Sequence, residues 1–295
     1  MDQLPSGPAV GGAPLNVTCH LAAFGHAALL VTRIGQDLAG ERVLGFMAER
    51  GLSLRGVQRD DSLPTGRVLV ELREGQPAFE ILPDVAFDAI DPAAAEAAAR
   101  NPAPALVYFG TLAQRRARSR KALRRVLRTS GGIRFLDVNL RRPWFDARVL
   151  TSSLRGADVL KLNEGELEAL SAGFGPRRRG NPVAAAGALL SRYEIGAAFV
   201  TRGEKGAFFA RRCESGFQVE EVNGVALGPE IVDTVGAGDG FAAVAILGTL
   251  RGWHPALTLV RADSFARALC CLSGAVPAAP AFYDGFRNDW GLAAA

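Results

Sequence analysis

A glycine-rich segment followed at once by a carboxylate is the part of this sequence best suited to do chemistry. Ile231–Ala243 reads IVDTVGAGDGFAA, in which a β-type approach runs into Gly236–Gly238 and then Asp239. A helix that begins at such a junction exposes backbone N–H groups at its positive end, where an anion can bind. A carboxylate beside a bound phosphate makes sense if it takes the proton from a hydroxyl that attacks phosphorus. The alternative is that Asp239 only caps the helix.

A second polar pair follows a predicted strand, in the segment KLNEGE at Lys161–Glu166. Asn163 and Glu166 are three residues apart, so they share one turn if a helix starts there. An amide and a carboxylate so placed can hold the water molecules of a Mg²⁺ ion that is bound to phosphates. The same residues also form an acceptable helix-capping pair, so this segment alone leaves both interpretations open.

Two glycine-bearing turns could bring a ligand close to the backbone. VTRGEKG, at Val200–Gly206, ends an apolar strand, and its glycines leave room for such an approach. GGAPLN, at Gly11–Asn16, places a polar amide at the entry to a predicted helix. An ordinary capped turn is the alternative for this second segment.

Short apolar strands alternate with helical stretches, and these elements must position the polar residues. The predicted strands are Ala27–Thr32, Ala105–Tyr108, Ile133–Asp137, Val159–Leu162 and Ala197–Thr201. The predicted helices are Leu38–Arg50, Gln114–Arg128, Glu164–Leu170 and Pro182–Arg192. This alternation is typical of an α/β fold in which helices flank a mainly parallel central sheet, with ligands at the carboxyl ends of the strands.

The segment from Gln58 to Phe87 interrupts the alternation. Its centre, Arg67–Leu82, reads RVLVELREGQPAFEIL, two β-type runs joined by a turn at Glu74–Gly75. We expect residues 58–87 to form a β lid that stands off the main sheet, or else an ordinary hairpin at a sheet edge.

Composition excludes several classes of protein. The 295 residues are 48% hydrophobic and 22% charged, with a net charge of +4, as in a globular chain that buries a core. No apolar run reaches the length of a transmembrane helix, and the first residues do not resemble a secretory signal. We therefore predict a cytoplasmic protein with no membrane partner. The four cysteines lack metal-ligand spacing and are expected to be reduced and mostly buried.

Eight basic residues, beginning with Arg115, lie in the predicted helix Gln114–Arg128. Leu123, Val126 and Leu127 give that helix an apolar stripe, which favours a basic face exposed to solvent. Contact with nucleic acid is the alternative, but neither a binding motif nor interleaved aromatic residues accompany the cluster. We predict no nucleic-acid partner, and a steeply salt-dependent affinity for DNA or RNA would contradict this.

Taken in chain order, these segments resemble the signatures of the ribokinase-like sugar kinases, the PfkB family, and most of all its bacterial fructokinases. The resemblance also includes IGQDLAG at Ile34–Gly40, DVNLRRPWF at Asp137–Phe145 and SGAVPAAPAFYD at Ser273–Asp284, and so covers nearly the full chain. It implies a ribokinase-like three-layer sandwich, a single kinase domain over residues 1–295 into which the β lid is inserted. It also implies a sugar kinase that uses ATP, Mg²⁺ and, as in some members, K⁺.

The resemblance assigns roles to individual positions. Asp239 matches the catalytic base, and the anion hole is matched by Gly236, Ala237 and Gly238. The positions matched for the nucleotide and its Mg²⁺ are Asn163, Glu166, Thr201, Gly203, Gly206 and, near the adenine, Asp263. The positions matched for the sugar are Gly11, Gly12, Asn16 and Arg141. Asp233 matches a position beside the monovalent-cation site.

The resemblance does not extend to the residues before Gly11, where family members carry a strand with an aspartate that binds substrate hydroxyls. We expect that central strand to be missing, and MDQLPSGPAV to be the tail of the loop after it. Either the true start lies upstream or the chain is a degraded relative, and the intact catalytic segment favours the first.

The resemblance leaves the substrate open. Fructose is the leading expectation, and ribose, 2-keto-3-deoxygluconate or a nucleoside are the alternatives. A truncated, weakly active or non-catalytic protein that binds a sugar or a nucleotide is a second hypothesis. A homodimer joined through the lid is also implied.

Overall fold

A computed structural model describes residues 1–4, 7–73, 76–174, 181–224 and 231–292. The predicted hairpin turn at Glu74–Gly75 lies outside these residues. The chain divides into two units, one built from Met1–Pro104 and Ala113–Gly131, the other from Ala105–Leu112 and Gly132–Ala294. None of the helices in the described ranges has the length and apolar character that a bilayer crossing requires.

Strands and helices alternate through most of the chain. The described strands are β1 (Asp2–Leu4), β2 (Gly7–Ala9), β3 (Thr32–Gly35), β4 (Val57–Asp60), β5 (Val68–Arg73), β6 (Gln76–Ile81), β7 (Leu106–Phe109), β8 (Ile133–Asp137), β9 (Val159–Asn163), β10 (Ala197–Thr201), β11 (Gly206–Cys213) and β12 (Gly216–Asn223). The described helices are α1 (Ala13–Ala23), α2 (Leu38–Glu49), α3 (Pro92–Arg100), α4 (Ala117–Ser130), α5 (Ala147–Arg155), α6 (Glu164–Phe174), α7 (Pro182–Tyr193), α8 (Ala237–Arg251), α9 (Pro255–Cys270) and α10 (Asp284–Trp290).

In the first unit, β5 and β6 belong to a four-stranded sheet with the order β2-β1-β5-β6. β1 runs parallel to β5, and the amino group of Met1 donates to the carbonyl of Gly66 at 3.1 Å. The interpretation of residues 1–10 as a loop tail is therefore wrong for β1 and β2, whose three residues each are too few for an alternating pattern to be recognised. β4 pairs with β3 in a separate sheet. The missing central strand and the action of the hairpin as a lid stay predictions.

The carboxylate of Asp37 fastens the start of β5 to α2. It caps α2 by accepting from the N–H of Gly40 at 2.8 Å. It also accepts from the backbone N–H of Thr65 at 3.0 Å and from the Thr65 hydroxyl at 2.7 Å. Gly35 allows this close approach, because a Cβ there would lie 2.6 Å from the carbonyl oxygen of Leu63.

Half of the eight basic side chains in and before α4 form ion pairs within the first unit. Arg115 and Asp88 form a buried ion pair with Nε and Oδ1 2.7 Å apart, and Arg115 also donates to the carbonyl of Leu82. Further ion pairs are Arg116–Asp84, Arg118–Asp91 and Arg125–Glu96. Part of the positive charge in and before α4 is thus balanced locally, and the absence of a nucleic-acid partner stays a prediction.

In the second unit, six of the described strands form a sheet with the order β12-β11-β10-β9-β8-β7. The strands from β7 to β10 are parallel, and β11 and β12 complete the sheet in antiparallel pairing. Parallel strands are usually covered on both faces, and Leu136, Leu160 and Val200 have no exposed surface. The predicted α/β class with a mainly parallel central sheet is confirmed.

Helices cover both faces of this sheet. Phe199 and Phe209 are register partners, and the ring of Phe241 on α8 lies 6.4 Å from that of Phe199, so α8 covers their face. Register turns Phe217 to the opposite face, where a Cβ added at Gly187 of α7 would lie 3.0 Å from its ring. The layers are therefore helix, sheet and helix.

α8 is buried from Gly240 to Gly248, and α9 packs closely along it. A Cβ at Gly240 would stand 2.2 Å from Cδ1 of Leu269, and one at Gly248 would stand 2.5 Å from Cγ2 of Thr258. The small residues that make the sequence of α8 conspicuous therefore set the distance between these two helices.

Two predicted strand segments are irregular or displaced. The strand expected at Ala27–Thr32 begins only at Thr32, where β3 gains β4 as its partner. Ile231–Val232 is not a strand, because the N–H groups of Val232 and Asp233 both bind the carbonyl of Cys270 at the end of α9. A run of apolar residues indicates burial, whereas a β-strand also needs a neighbouring strand with which its backbone can pair.

The cysteines divide evenly. Cys19 and Cys270 are buried, whereas Cys213 and Cys271 are exposed, and all four are free thiols. The expectation of reduced thiols is met, but that of mostly buried ones holds for half of them. Burial raises the pKa of Cys19 to about 11, with Arg50 opposing in part, so this thiol is unreactive near neutral pH.

Candidate active site

The glycine-rich segment forms the first turn of α8. Gly236 is its N-cap residue with φ at +84°, a conformation that L side chains rarely adopt. A Cβ at Gly236 would also lie 2.4 Å from Cα of Ala275, so only glycine fits. Gly236 has no side chain to cap this helix end, and the N–H of Ala237 donates to the carbonyl of Thr234 at 3.3 Å. The further N–H groups of the turn lie at the positive end of the helix, as an anion site requires.

Two carboxylates flank this turn. Asp239 lies in the first turn of α8 itself. Asp233 accepts from the N–H of Val235 at 2.9 Å and from the N–H of Gly274 at 3.2 Å. Asp233 thus ties the glycine-rich loop to the Ser273–Asp284 segment and has a visible structural role.

Asn163 and Glu166 form the reciprocal capping pair at the start of α6. The N–H of Glu166 donates to Asn163 Oδ1 at 2.8 Å, and the N–H of Asn163 donates to Glu166 Oε2 at 2.9 Å. Glu166 Oε1 also accepts from the N–H of Leu140 at 2.7 Å, which brings the loop that carries Arg141 to the same place. Capping fixes both side chains and leaves further lone pairs on their oxygens.

A buried polar cluster at the ends of β7, β8 and β9 was not assigned a role from the sequence. Lys161 Nζ donates to both carboxylate oxygens of Asp137, at 3.1 and 3.2 Å, and the Tyr108 hydroxyl donates to Asp137 Oδ2 at 3.0 Å. Asp137 is fully buried and Lys161 is 7% exposed. A Cβ at Gly238 would lie 3.4 Å from Lys161 Nζ, so the ammonium group lies beside the first turn of α8.

Burial and charge act in opposite directions in this cluster. Burial alone would lower the pKa of Lys161, but Asp137, Asp239 and Glu166 outweigh it and hold that pKa above its usual value. Burial raises the pKa of Glu166, and the N–H groups of Asn163 and Leu140 together with Lys161 offset part of that rise. Burial, the charge of Asp137 and then that of Asp239 raise the pKa of Tyr108, which therefore stays protonated.

The residues matched to the nucleotide site lie at the ends of neighbouring strands. Thr201 ends β10 and is the register partner of Asn163 on β9. Gly203 begins a short 3-10 turn, and Gly206 follows it with φ at +88° and its Cα against the backbone of Val222. Because of this positive φ and this close contact, only glycine fits at position 206, whether or not a nucleotide binds.

The remaining predicted positions belong to both units. Gly11, Gly12 and Asn16 belong to the first unit, where Gly12 is the N-cap of α1 and Asn16 is buried in its first turn. Arg141 belongs to the second unit, is exposed and contacts only its own loop through the carbonyl of Leu140 among the contacts observed. Asp263 lies on α9 and forms an ion pair with Arg267 at 2.6 Å, Nε to Oδ2.

The donor set does not form a closed metal cage. Within the described ranges, no group of three or more His, Cys, Asp or Glu side chains could hold a metal ion. An amide and a carboxylate held by capping fit instead the outer sphere of a hydrated Mg²⁺ that is bound mainly by phosphates. The residues present are thus compatible with the water-mediated role assigned to Asn163 and Glu166.

Comparison with known proteins identifies the class of protein. A family model described as pfkB family carbohydrate kinase matches residues 8–281, which is most of the chain. The chain therefore belongs to the PfkB family of carbohydrate kinases.

Individual relatives agree with this assignment. The chain is 28% identical over 255 residues to a fructokinase from Escherichia coli, across 82% of this chain and 77% of the fructokinase. An uncharacterized sugar kinase from Pyrococcus horikoshii, solved in complex with ATP, is 26% identical, with a TM-score of 0.69 over 90% of this chain and 84% of that protein. A fructokinase with bound ATP from Xylella fastidiosa has a TM-score of 0.75 over 95% and 91% of the two chains, and at 20% identity this shows the likeness of fold.

Proposed function

We propose that this chain transfers the γ-phosphoryl group of ATP to a hydroxyl group of fructose. The observation that carries the proposal is the first turn of α8, where Asp239 stands at the positive end of the helix and the N-cap residue, Gly236, has no side chain to cap it. Membership of a carbohydrate kinase family supports phosphoryl transfer to a sugar. Similarity to a fructokinase and to sugar kinases solved with ATP supports the choice of fructose and of ATP.

The chemistry assigned to this turn is an in-line displacement. The sugar oxygen forms a bond to the γ-phosphorus, the bond between that phosphorus and the β–γ bridging oxygen breaks, and ADP leaves. Asp239 takes the proton of the attacking hydroxyl. The backbone amides of Gly236–Gly238 hold the equatorial oxygens of the transferring group.

The other positions bind and orient. Mg²⁺ arriving with ATP supplies charge that offsets the phosphates, and Asn163 and Glu166 would hold its water molecules. The nucleotide positions are Thr201, Gly203, Gly206 and Asp263, and the sugar positions are Gly11, Gly12, Asn16 and Arg141. Asp233 is assigned to the edge of a K⁺ site, and the lid hairpin to a homodimer contact.

The decisive experiment is a measurement of ADP release with Mg-ATP and a panel of fructose, ribose, 2-keto-3-deoxygluconate and a nucleoside. We expect fructose to give the highest kcat/KM. Asp239→Asn should lower kcat by about 10²–10⁴-fold while ATP affinity changes little, because the base acts in the chemical step.

Asp289→Asn is the matched control, since Asp289 is an exposed carboxylate on α10, outside the site. Turnover of another sugar alone would correct the substrate but keep the kinase. A folded protein that binds ATP and releases no ADP with any sugar would instead favour a binding role without catalysis.

A further inference from the structure

Lys161 and Asp137 form a buried ion pair. What we infer from this pair rests on the proposed function. The two residues are register partners on neighbouring parallel strands, so their side chains leave the same face of the sheet. Phe199 is the next register partner of Lys161, and Phe241 of α8 packs on Phe199, so this is the face that α8 covers. The pair is thus enclosed between the sheet and the helix whose first turn carries Asp239.

The charges around Lys161 do not balance. Its ammonium group faces Asp137 from β8, Glu166 from α6 and Asp239 from α8, and the neutral Tyr108 reaches Asp137 from β7. Asp137 alone would satisfy one buried cation. The two further carboxylates belong to the residues assigned to Mg²⁺ and to proton transfer, so the charge of Lys161 acts on the catalytic side of the cluster as well.

The backbone of α8 makes room for this cation. Nζ of Lys161 stands 3.4 Å from the position that a Cβ of Gly238 would occupy. A longer side chain at that position would separate the ammonium group from the turn. The ammonium group is held by Asp137 at 3.1 Å in a buried ion pair, so it cannot move out to solvent without breaking that pair.

We propose that Lys161 is a positioning residue for phosphoryl transfer, which acts through Asp239. Its ammonium group, anchored on Asp137 and beside Gly238, supplies a fixed positive charge next to the first turn of α8, where Asp239 stands and where a negatively charged phosphoryl group would arrive. Without that charge, the repulsion between the Asp239 carboxylate and the phosphate is offset less.

A double variant separates this role from a purely structural one. Lys161→Met alone leaves Asp137 buried without its partner, and the protein should unfold at a lower temperature. Lys161→Met combined with Asp137→Asn removes both charges, so thermal stability should return toward that of the wild type. In this double variant we expect kcat to stay about 10²–10³-fold below the wild type, with KM for the sugar and affinity for ATP within roughly threefold.

Tyr108→Phe is the matched control, because it removes a hydrogen bond to Asp137 but no charge, and its kcat should stay within roughly threefold of the wild type. A stable double variant with the kcat of the wild type would overturn the inference and leave the kinase assignment intact. Absence of turnover in the wild type on every sugar would remove the proposed function, and this inference with it.

If the double variant does not fold, Lys161→Arg tests the positioning role of Lys161 instead. It keeps the charge and changes the shape of the group that carries it. A folded Lys161→Arg protein with kcat within about tenfold of the wild type supports the inference. A loss as large as that of Asp239→Asn, with the fold intact, contradicts it.

Discussion

At the scale of single residues, Glu166 makes contacts that stabilise the fold and would also suit the role proposed for it toward Mg²⁺. Both of its carboxylate oxygens accept backbone N–H groups, one from Asn163 at the end of β9 and one from Leu140 in the loop after β8. These contacts hold the carboxylate in a single orientation. An orientation fixed in this way is what a residue needs to position the water of a hydrated ion.

Replacement of Glu166 by Gln tests its assigned role toward Mg²⁺. The amide nitrogen cannot accept one of the two N–H groups, so stability should fall by about 1–3 kcal/mol whatever the role. If Glu166 also holds water molecules of Mg²⁺, the Mg²⁺ concentration that gives half-maximal rate should rise by about threefold to tenfold.

Glu168→Gln is the control, since Glu168 is exposed on the same helix. Titration of the initial rate with Mg²⁺ at saturating ATP measures the effect. A lower stability together with an unchanged Mg²⁺ dependence would leave Glu166 as a capping residue only.

The sequence allowed Asp239, Asn163 and Glu166 to be predicted as candidates because each lies within a short contiguous motif. Lys161 and Asp137 were within quoted motifs too, but their pairing depends on β8 and β9 being neighbours in register. Strand order is a property of the whole sheet, and a single sequence does not specify it. The cluster could be recognised from sequence only as polar residues within otherwise apolar strands.

At the scale of secondary structure, the contact between α8 and α9 depends on glycine. Gly248 of α8 faces Thr258 of α9, whose branched side chain is stiff and whose hydroxyl donates to the carbonyl of His254. Gly45 of α2 offers the opposite environment, because nothing lies within 4 Å of a Cβ added there.

These two helical glycines give a matched pair of substitutions to alanine. Gly248→Ala should lower the free energy of unfolding by about 1–3 kcal/mol, because the new methyl group forces α8 and α9 apart. Gly45→Ala should raise it by roughly 0.5–1 kcal/mol, because alanine loses less backbone entropy and meets no neighbour. Urea unfolding of both variants measures the difference, and equal shifts in the two proteins would contradict the close packing described.

Prediction of the elements succeeded where apolar pattern and strand pairing coincide. β8 and β10 have the predicted bounds, β9 is longer than predicted by one residue at its end, and β7 is shifted by one residue at both ends. α2 begins at the predicted residue because Asp37 caps it. The strand expected at Ala27–Thr32 was misplaced because its apolar residues precede the part of the chain that finds a partner.

At the scale of the whole molecule, the net charge says little about how stability depends on pH. The local pairing of charged groups says more. Asp60 is an example in the first unit: burial opposes its ionisation, but the N–H groups of Leu63 and Ser62 and then Arg33 outweigh it and lower its pKa below 3.8. A group with a lowered pKa stabilises the fold fully above its unfolded value. That contribution is lost as the pH falls through the lower folded value.

Asp60→Asn should therefore destabilise the protein at neutral pH by about 1–3 kcal/mol, because two N–H groups and an arginine lose a charged partner. The difference from the wild type should shrink as the pH falls below 3.8, where the wild-type carboxylate also becomes protonated. Urea unfolding across that range, with the exposed Asp289→Asn as control, measures it. A difference that is constant with pH would show that the charge of Asp60 does not matter.

The division into two units has a consequence for the synthesis of the chain. The chain leaves the first unit after Pro104, returns to it at Ala113 and leaves again after Gly131. Ser119, which donates to the carbonyl of Phe87 and accepts from the N–H of Ile90, is thus made only after the first strand of the other unit.

On the ribosome the first unit therefore stays incomplete until α4 has emerged, and β7 meanwhile waits for β8, which follows directly. Both units expose unpaired backbone and apolar surface during this interval, which is when a nascent chain is most open to misfolding and to chaperones. Neither unit corresponds to one continuous stretch of sequence, so a gene fragment cut at any single position would encode an incomplete fold.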